Sequence, residues 1–408
     1  MKILIINCGS SSIKFQLFDM TTDAQVLAKG CVDRVGLKES EILYHKTGND
    51  KVKKYRHIAD HTEGIEAILA ELLDTSTGVI HDINEIKAVG HRIVHGGDKF
   101  TGSVMITDEV IAEVEECIEL APLHNPPNLK GIDSIKKILP NVMQCGTFDT
   151  AFHHTIPDYA YIYGIPYEYY EKFKIRRYGF HGASHNYVTH KAAQTLGQNY
   201  KELRMVSCHL GNGSSVAAVK YGESVDTSMG LTPVEGLMMG TRCGDIDAGA
   251  LLYLMEKINL DPHCANYELN KKSGFLGVSG ISSDMRDVQK AAWKDENKRA
   301  ILSLNMFYYR VRKYIGAYAA AMGGLDVIIF TGGIGEYSPE TRQAVCENLE
   351  FMGVKFDDEV NSYTCSVLTE ISLPDSKVKV MVIPTNEELV IALDTLKLYN
   401  GHEINVFA

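Results

Sequence analysis

Two stretches of the chain show the pattern of apolar and polar residues that is typical of half-buried β-strands. An apolar run over 3–6 leads through a glycine-serine turn into strict alternation over 13–18. The arrangement returns later, where an apolar run over 205–210 leads through a second glycine-serine turn into 216–219. A period of two predicts strands. Both stretches are therefore predicted to be strand–turn–strand units, and their likeness predicts two related halves.

A third glycine cluster follows a predicted strand. The predicted strand 326–330 leads into the glycine-rich segment 331–336, after which Ser338 and Pro339 are typical of a helix start. A glycine turn between a strand and a helix lets a ligand approach the backbone, so this segment is a candidate nucleotide site. A purely structural turn remains the alternative. The pattern G-x-x-x-x-G-K-[ST] is absent from the chain, which argues against a standard P-loop.

The remaining pattern alternates helices with strands. Thr107 is predicted to cap a helix from 108 to about 120, which prolines at 122, 126 and 127 would end. Strands are predicted over 141–148, ending at Asp149, and over 378–383. This order predicts an α/β protein with two lobes and a cleft between them.

The last helix is predicted to start near 384–388. There the spacing T-x-x-E indicates a capping box that would occupy Glu388 and leave the Glu387 carboxylate available. Glu387 could hold magnesium. Stabilisation by the helix dipole is the alternative.

Composition excludes several classes of protein. The 408 residues carry 41 Lys and Arg against 52 Asp and Glu, a net charge of -11 that disfavours binding to nucleic acid or to an anionic membrane. Nine scattered cysteines without a C-x-x-C pair argue against a disulfide framework and a zinc site, and favour reduced thiols in the cytoplasm.

The first apolar run is too short for a signal peptide, and the weakly polar stretch 314–325 is predicted to be a buried helix.

Several charged residues stand in unusual places. Arg92 lies inside an apolar, glycine-flanked strand and needs a carboxylate or a bound anion as its partner. Arg242 lies on a loop, where a salt bridge to Asp245 or Asp247 is the alternative to anion binding. His181 and His185 have the i, i+4 spacing of zinc hydrolases, but the glutamate of that pattern is missing, so a capping or core role is the default for them.

Taken together, the motifs resemble the acetate kinase family, which belongs to the actin, Hsp70 and sugar-kinase superfamily. The resemblance spans nearly the whole chain and rests on the following ordered motifs: N-C-G-S-S-S from Asn7, G-H-R-I-V-H-G-G around Arg92, F-D-T-A-F-H around Asp149, Y-G-F-H-G-A-S-H around His181, H-L-G-N-G-S-S from His209, M-G-T-R-C-G-D-I-D around Arg242, S-S-D-M-R ending at Arg286, T-G-G-I-G-E from Thr331 and I-P-T-N-E-E-L around Glu387. Three positions depart from the family pattern, namely Ala183, Cys243 and Ala248.

The resemblance implies a duplicated, two-lobed actin-like (ribonuclease H-like) fold and an ATP-dependent phosphotransferase. The implied reaction is reversible transfer of the γ-phosphoryl group of ATP to acetate, giving acetyl phosphate and ADP, with Mg²⁺ as the metal and Mn²⁺ as its alternative. A homodimer in the cytoplasm is implied as well, with small molecules rather than nucleic acids or membranes as partners. Phosphoryl transfer depends on positioned cations, and acetate is already ionised at neutral pH, so no general base is required.

The resemblance also assigns roles to individual residues. The implied catalytic residues are Asp149, His181, Arg242 and Arg92. Acetate would be bound by Arg92 and by a methyl pocket of Val94, Leu123, Phe180 and Pro233. Asn7 and Glu387 would serve the metal. The nucleotide would be bound by Lys14, His209, Leu210, Gly211, Asn212, Gly213, Asp284, Met285, Arg286, Gly332, Gly333, Ile334, Gly335 and Glu336.

Residues 1–150 and 386–408 are predicted to form an N-terminal lobe that binds the acyl substrate and is closed by the last helix. Residues 151–385 are predicted to form a C-terminal lobe for nucleotide binding and dimerisation. Two alternatives remain, a propionate or butyrate kinase on the same scaffold and a nucleotide-switched, non-catalytic protein of the actin or Hsp70 type.

Overall fold

The computed structural model describes residues 1–401. The chain forms two compact units, Met1–Phe152 together with the segment that begins at Asn386, and His153–Thr385. The predicted lobe boundaries are 150 and 385, and residues 402–408 of the predicted N-terminal lobe lie outside the described residues. No helix within 1–401 is long and apolar enough to cross a bilayer.

The first unit is built on an eight-stranded mixed sheet. Its strands are β1 (Lys2–Cys8), β2 (Ser12–Asp19), β3 (Gln25–Asp33), β4 (Ser40–Lys46), β5 (Val52–Arg56), β6 (Ile86–Ile93), β7 (Val104–Met105) and β8 (Met143–Phe148). Its helices are α1 (His61–Leu73), α2 (Asp108–Glu116), α3 (Asn125–Ile138) and, from the end of the chain, α15 (Glu387–Tyr399). The strand order is β5-β4-β3-β2-β1-β6-β8-β7.

The alternation of β1 explains why helices cover both faces of this sheet. Leu4 and Ile6 belong to one apolar cluster with residues of α1 and α3, whereas Ile3 and Ile5 belong to another with Ile391 of α15. A central strand that is buried on both faces is apolar throughout. The last helix therefore completes the core of the first unit.

The second unit is built on a six-stranded mixed sheet of order β11-β10-β9-β12-β14-β13. Its strands are β9 (Arg204–Leu210), β10 (Ser214–Lys220), β11 (Glu223–Thr227), β12 (Val327–Thr331), β13 (Thr369–Glu370) and β14 (Lys379–Val382). Its helices are α4 (Asp158–Tyr161), α5 (Glu168–Phe173), α6 (Gly182–Leu196), α7 (Ala248–Ile258), α8 (Pro262–Lys271), α9 (Gly274–Ser279), α10 (Met285–Trp293), α11 (Lys298–Met322), α12 (Gly332–Tyr337), α13 (Pro339–Cys346) and α14 (Asp358–Tyr363). The central apolar cluster packs α10 and α11 against the sheet.

The two sheets share one topology. The run β3-β2-β1-β6-β8 corresponds to β11-β10-β9-β12-β14 in strand order. Strand β1 is antiparallel to β2 and parallel to β6, and β9 is likewise antiparallel to β10 and parallel to β12. The prediction of a duplicated α/β fold is thereby confirmed, and this topology is the ribonuclease H-like one that the resemblance implies.

Three local predictions were wrong. Helix α2 ends at Glu116, before the prolines. Pro126 and Pro127 lie in the first turn of α3, where proline forgoes no hydrogen bond. The predicted glycine turn after β12 is the short helix α12. The cap of α15 is Asn386, whose side chain accepts a hydrogen bond from the Leu389 amide, and not Thr385, whose hydroxyl binds Ser184 instead.

Candidate active site

In the first unit, Arg92 and Asp149 lie at the carboxyl ends of the neighbouring parallel strands β6 and β8. Arg92 Nε donates to Asp149 Oδ1 at 2.8 Å, and Nη2 donates to Oδ2 at 2.7 Å. The Asp149 side chain is only 5% exposed. A two-pronged pair of this kind fixes the plane of the guanidinium and leaves its remaining N–H groups for an anion.

Two further carboxylates start α15 beside this pair. Burial raises the pKa of Glu387; the charge of Arg92 opposes this shift, and that of Asp149 adds to it. The pKa of Glu388 is raised as well, mainly by burial. For Arg92, burial alone would lower the pKa, but Asp149 and Glu387 raise it overall. Carboxylates outnumber cations here, so the group has room for another positive charge.

Oxygen ligands for a divalent metal are present in this group. Asn7 lies directly opposite Lys14 in the β1–β2 pair, and the charge of Lys14 acts on Glu387. Within residues 1–401 the Asn7 side-chain amide makes no hydrogen bond, so its carbonyl oxygen is available. The half-buried Glu387 carboxylate together with an amide oxygen is a donor set that suits Mg²⁺. The residues therefore fit the implied metal.

In the second unit, His181 occupies the N-cap position of α6 with a left-handed backbone, φ 58°. Its ring stacks on His209, with centroids 4.2 Å apart, and its Nδ1 is 2.9 Å from Ser215 Oγ. Ser184 Oγ is 2.8 Å from His209 Nδ1. Two rings are thus held face to face at the carboxyl end of β9.

The guanidinium of Arg242 is half-buried and has no carboxylate partner in the described part of the chain. Its recorded contacts are weak, namely the Pro233 carbonyl oxygen at 3.5 Å and the Met239 sulfur at 3.8 Å. Burial lowers the pKa of Arg242. A desolvated cation in this state is complementary to a bound anion.

Arg242 and His181 converge on Gly213, in the turn between β9 and β10. A methyl group on Gly213 would lie 3.4 Å from Arg242 Nη1 and 3.7 Å from His181 Nε2. The absence of a side chain therefore leaves a space between two nitrogen atoms. That space is suited to a phosphoryl oxygen.

Beside this turn lies a cavity of about 520 Å³. It brings together three predicted segments that are far apart in sequence, and its predicted lining residues are Gly211, Asn212, Asp284, Met285, Arg286, Gly333 and Ile334. Asp284 caps α10 and binds the exposed Arg286 side chain. The volume is in the range of small-molecule sites.

Other residues predicted for the nucleotide do not line this cavity. Leu210 is fully buried in the apolar core. The Glu336 carboxylate turns inward and accepts from the amides of Gly332 and Thr385. His209 and Gly213 belong to the His181 group described above, Gly335 is buried in α12, and Lys14 lies in the first unit with Glu387.

The four residues of the predicted methyl pocket have different environments. In the first unit, Val94 is half-buried, with its amide donating to Asn128 Oδ1, and Leu123 is 52% exposed. In the second unit, Phe180 is buried and Pro233 is half-buried.

Several residues of these groups were missed from the sequence. The cavity is also lined by Gly240, Phe275, Ser283, Gln289, Tyr337 and Ser338. Ser215 and Ser184, which bind the two histidines, were missed as partners, although the glycine-serine turn and the histidine motif contain them. The pair His181 and His185 joins no group of metal ligands among the residues described.

Comparison with known proteins gives a consistent result. The model of the acetokinase family matches residues 2–393. The acetate kinase of Thermoanaerobacter pseudethanolicus is 56% identical over 401 residues, which cover 98% of this chain and 100% of that protein. The acetate kinase of Bacteroides thetaiotaomicron is 54% identical over 398 residues, 98% of this chain and 99% of that protein.

Solved structures agree with the sequence relatives. The crystal structure of Porphyromonas gingivalis acetate kinase superimposes with a TM-score of 0.93 at 51% identity, covering 97% of this chain and 99% of that one. A propionate kinase from Francisella tularensis gives a TM-score of 0.90 at 39% identity, with the same coverage. On these matches, which extend over nearly its whole length, the chain belongs to the acetokinase family.

Proposed function

We propose that this protein transfers the γ-phosphoryl group of ATP to acetate, giving acetyl phosphate and ADP, and catalyses the reverse reaction. That it is a phosphotransferase with a carboxylate acceptor follows from its family. The observation that carries the proposal for the site is the half-buried guanidinium of Arg242, which lies beside His181 and Gly213 and has no carboxylate partner among residues 1–401.

The proposed roles follow from charge and hydrogen-bonding capacity. Arg242 and His181 stabilise the charge on the transferring phosphoryl group, since positioned donors act most strongly where water is excluded. Arg92 binds the acetate carboxylate with the N–H groups that Asp149 leaves available. Asp149 acts by orienting Arg92, because a carboxylate substrate is already ionised at neutral pH.

The proposed cofactor is Mg²⁺, with Mn²⁺ as an alternative, held by Asn7 and Glu387. When bound, the ion would neutralise charge on the phosphate oxygens of ATP. Supporting this, Glu387 is a half-buried carboxylate in a group that has more carboxylates than cations.

The adenine nucleotide is proposed to occupy the cavity between Gly211, Asp284 and Gly333. Gly333 is the second residue of α12, which directly follows β12. A Cβ on Gly333 would meet no other group within 4 Å, so a flat base or ribose can approach the backbone closely. The Asp284–Arg286 pair at the start of α10 forms one side of the cavity.

A propionate kinase is the second candidate, because the Francisella tularensis protein of that name has nearly the same fold. We propose that Val94, Leu123, Phe180 and Pro233 select acetate by contacting its methyl group. One additional methylene in such a pocket changes transition-state binding by about 1–3 kcal/mol.

The test uses the full chain with ATP, Mg²⁺ and one short carboxylic acid in the presence of hydroxylamine, which converts an acyl phosphate into a coloured hydroxamate. We expect a hydroxamate from acetate and a lower specificity constant with propionate and butyrate. Adding EDTA should abolish the product, and excess Mg²⁺ should restore it. No hydroxamate from any of the acids would contradict the proposal, whereas a preference for propionate would favour the second candidate.

We further propose a homodimer in the cytoplasm. Helix α7 is apolar, yet none of its residues is buried, and Leu252, Tyr253 and Ile258 are 61%, 62% and 59% exposed. A second copy of the chain is the proposed cover for this face. Light scattering should give twice the mass of 45.2 kDa for the parent and the single mass for Leu252→Glu.

The nine free thiols support a reducing compartment.

A further inference from the structure

A chain of hydrogen bonds runs from the interior of the second unit to His181. Ser207 Oγ is 2.9 Å from His185 Nδ1, and His185 Nε2 is 2.7 Å from Ser215 Oγ. Ser215 Oγ is in turn 2.9 Å from Nδ1 of His181. Ser207, His185 and Ser215 are completely buried. The three interior members of the chain therefore have no direct contact with bulk water, whereas His181 at its end is half-buried.

The interior end of this chain determines the direction of every bond. Ser207 Oγ has no other hydrogen-bond partner within residues 1–401. If it accepted a hydrogen bond from His185, its own buried hydroxyl proton would have no acceptor, which is costly. Ser207 therefore donates to His185 Nδ1, and the ring carries its proton on Nε2. Burial, and the neighbouring rings of His153 and His209, lower the pKa of His185 and keep it neutral.

The remaining protons follow from this start. His185 Nε2–H donates to Ser215 Oγ, whose single hydroxyl proton is then left to donate to His181 Nδ1. A nitrogen that accepts a hydrogen bond carries no proton, so the proton of the neutral His181 ring is on Nε2. Nε2 is the nitrogen beside Arg242 Nη1 in the space at Gly213.

We propose that Ser207, His185 and Ser215 are positioning residues that hold His181 in the Nε2–H tautomer, with its N–H donor directed at the phosphoryl position. The inference rests on the proposed function of His181. Adding a second proton to His181 would require Ser215 to accept from Nδ1. Either the buried hydroxyl proton of Ser215 would then lack an acceptor, or every bond behind it would reverse and leave the Ser207 proton without one. Both outcomes are costly, so the donor at Nε2 is maintained without a positive charge on the ring.

The first test is spectroscopic and needs no activity. Long-range ¹H–¹⁵N correlation spectra of the full chain, labelled with ¹⁵N-histidine, distinguish the two tautomers, and the His181 signals are those lost in His181→Gln. We expect the Nε2–H tautomer in the parent near pH 8. In Ser215→Ala, which removes the donor to Nδ1, the signals should move towards a mixture of tautomers. A parent ring with its proton on Nδ1, or an unchanged spectrum in Ser215→Ala, would overturn the proposal.

Ser224→Ala is the matched control. Ser224 Oγ also binds a buried histidine, at 2.8 Å from His153 Nδ1, but it is not part of the hydrogen-bond chain that ends at His181. It should lose similar stability and leave the His181 tautomer unchanged. Should Ser215→Ala fail to fold, Ser207→Ala tests the other end. In Ser207→Ala, His185 Nδ1 has no partner whether it carries a proton or not, so neither direction of the hydrogen-bond chain is preferred. We therefore again expect a mixture of tautomers at His181. An unchanged, parent-like spectrum would overturn the proposal.

Kinetics separate this inference from the proposed function. In Ser215→Ala we expect turnover to fall by about tenfold, as for the loss of one positioned hydrogen bond, with an unchanged KM for acetate. If the tautomer changes as expected and turnover does not, the positioning chain stands and the proposed role of His181 fails. If the tautomer does not change while the parent forms acetyl phosphate, the chain is overturned and the proposed function stands.

Discussion

The carboxylate of Asp245 pairs with Arg310, at 3.2 Å, and not with Arg242 three residues before it. Asp245 also accepts hydrogen bonds from the Tyr314 hydroxyl at 2.9 Å and from the Gly236 amide at 2.8 Å. The oxygens of the Asp245 carboxylate are thus occupied by Gly236, which lies earlier in the same loop, and by two side chains of α11. The loop therefore presents Arg242 without a counter-ion from residues 1–401, as an anion site requires.

The first prediction concerns Arg242. Arg242→Ala should lower turnover by on the order of 10³, by analogy with an arginine that stabilises a transferring phosphoryl group. The free energy of unfolding should not fall, because Arg242 is half-buried and forms no ion pair with the described residues, so no ion pair is lost. Steady-state kinetics and denaturant unfolding measure the two effects. Turnover within tenfold of the parent would contradict the assigned role.

The second prediction concerns the bidentate pair of Arg92. Arg92→Lys keeps the charge but cannot bind Asp149 with two bonds and acetate at the same time, so the KM for acetate should rise by about tenfold or more, with the KM for ATP nearly constant. Arg204→Lys is the control, since Arg204 forms a similar two-bond pair with Asp326, at 3.0 and 2.8 Å. An equal rise of KM in both variants would show that the effect is structural.

The third prediction concerns acyl-chain length. Val94 is half-buried just after β6, two residues from Arg92. Val94→Ala enlarges the proposed methyl pocket and should raise the specificity constant for propionate relative to acetate by on the order of tenfold. Val104→Ala, which shortens a half-buried valine on β7, should leave the ratio unchanged. A ratio that stays constant in Val94→Ala would remove Val94 from the pocket.

The fourth prediction concerns the pH dependence of stability. Asp394 on α15 is 4% exposed; its Oδ2 accepts from Ser103 at 2.6 Å, and its buried Oδ1 has no hydrogen-bond partner within residues 1–401. Burial raises the pKa of Asp394 to about 6, despite the Ser103 hydrogen bond and the charge of Lys397. A carboxyl whose pKa is higher in the folded than in the unfolded chain stabilises the fold at low pH, and this contribution is lost as the pH rises from about 4 to about 6.

Asp394→Asn removes the ionisation. Its free energy of unfolding, relative to the parent, should therefore rise between pH 4 and pH 7.5 by up to about 3 kcal/mol. Urea unfolding at several pH values measures this difference, with the exposed Asp23→Asn as a control that should show no such trend. A constant difference between Asp394→Asn and the parent would mean that Asp394 is not protonated preferentially in the folded state.

Some features of the fold could be read from local patterns. The strict alternation over 13–18 predicted β2, and Ser338 with Pro339 predicted the start of α13. Such signals involve residues within a few positions of each other and depend on backbone geometry, which is the same in any protein. For that reason the duplicated design of β1–β2 and β9–β10 was also visible in the sequence.

Capping at α15 shows the limit of local patterns. Thr385 and Asn386 are both competent N-caps, and the T-x-x-E spacing favoured the former. In the structure, Ser184 binds the Thr385 hydroxyl at 2.7 Å and Glu336 accepts from its amide, so Asn386 caps the helix. The choice depended on two residues that are distant in sequence.

The sequence by itself determined the elements, their duplication and the identity of the chemically capable side chains, because alternation, caps and motifs are local. The tertiary structure alone decided which charges are paired. Arg92 pairs with Asp149, which follows the neighbouring parallel strand β8. Asp245, the carboxylate nearest to Arg242 in sequence, pairs with Arg310 instead. Ion pairing depends on distances of a few ångströms between segments far apart in the chain, and only the packing of those segments sets these distances.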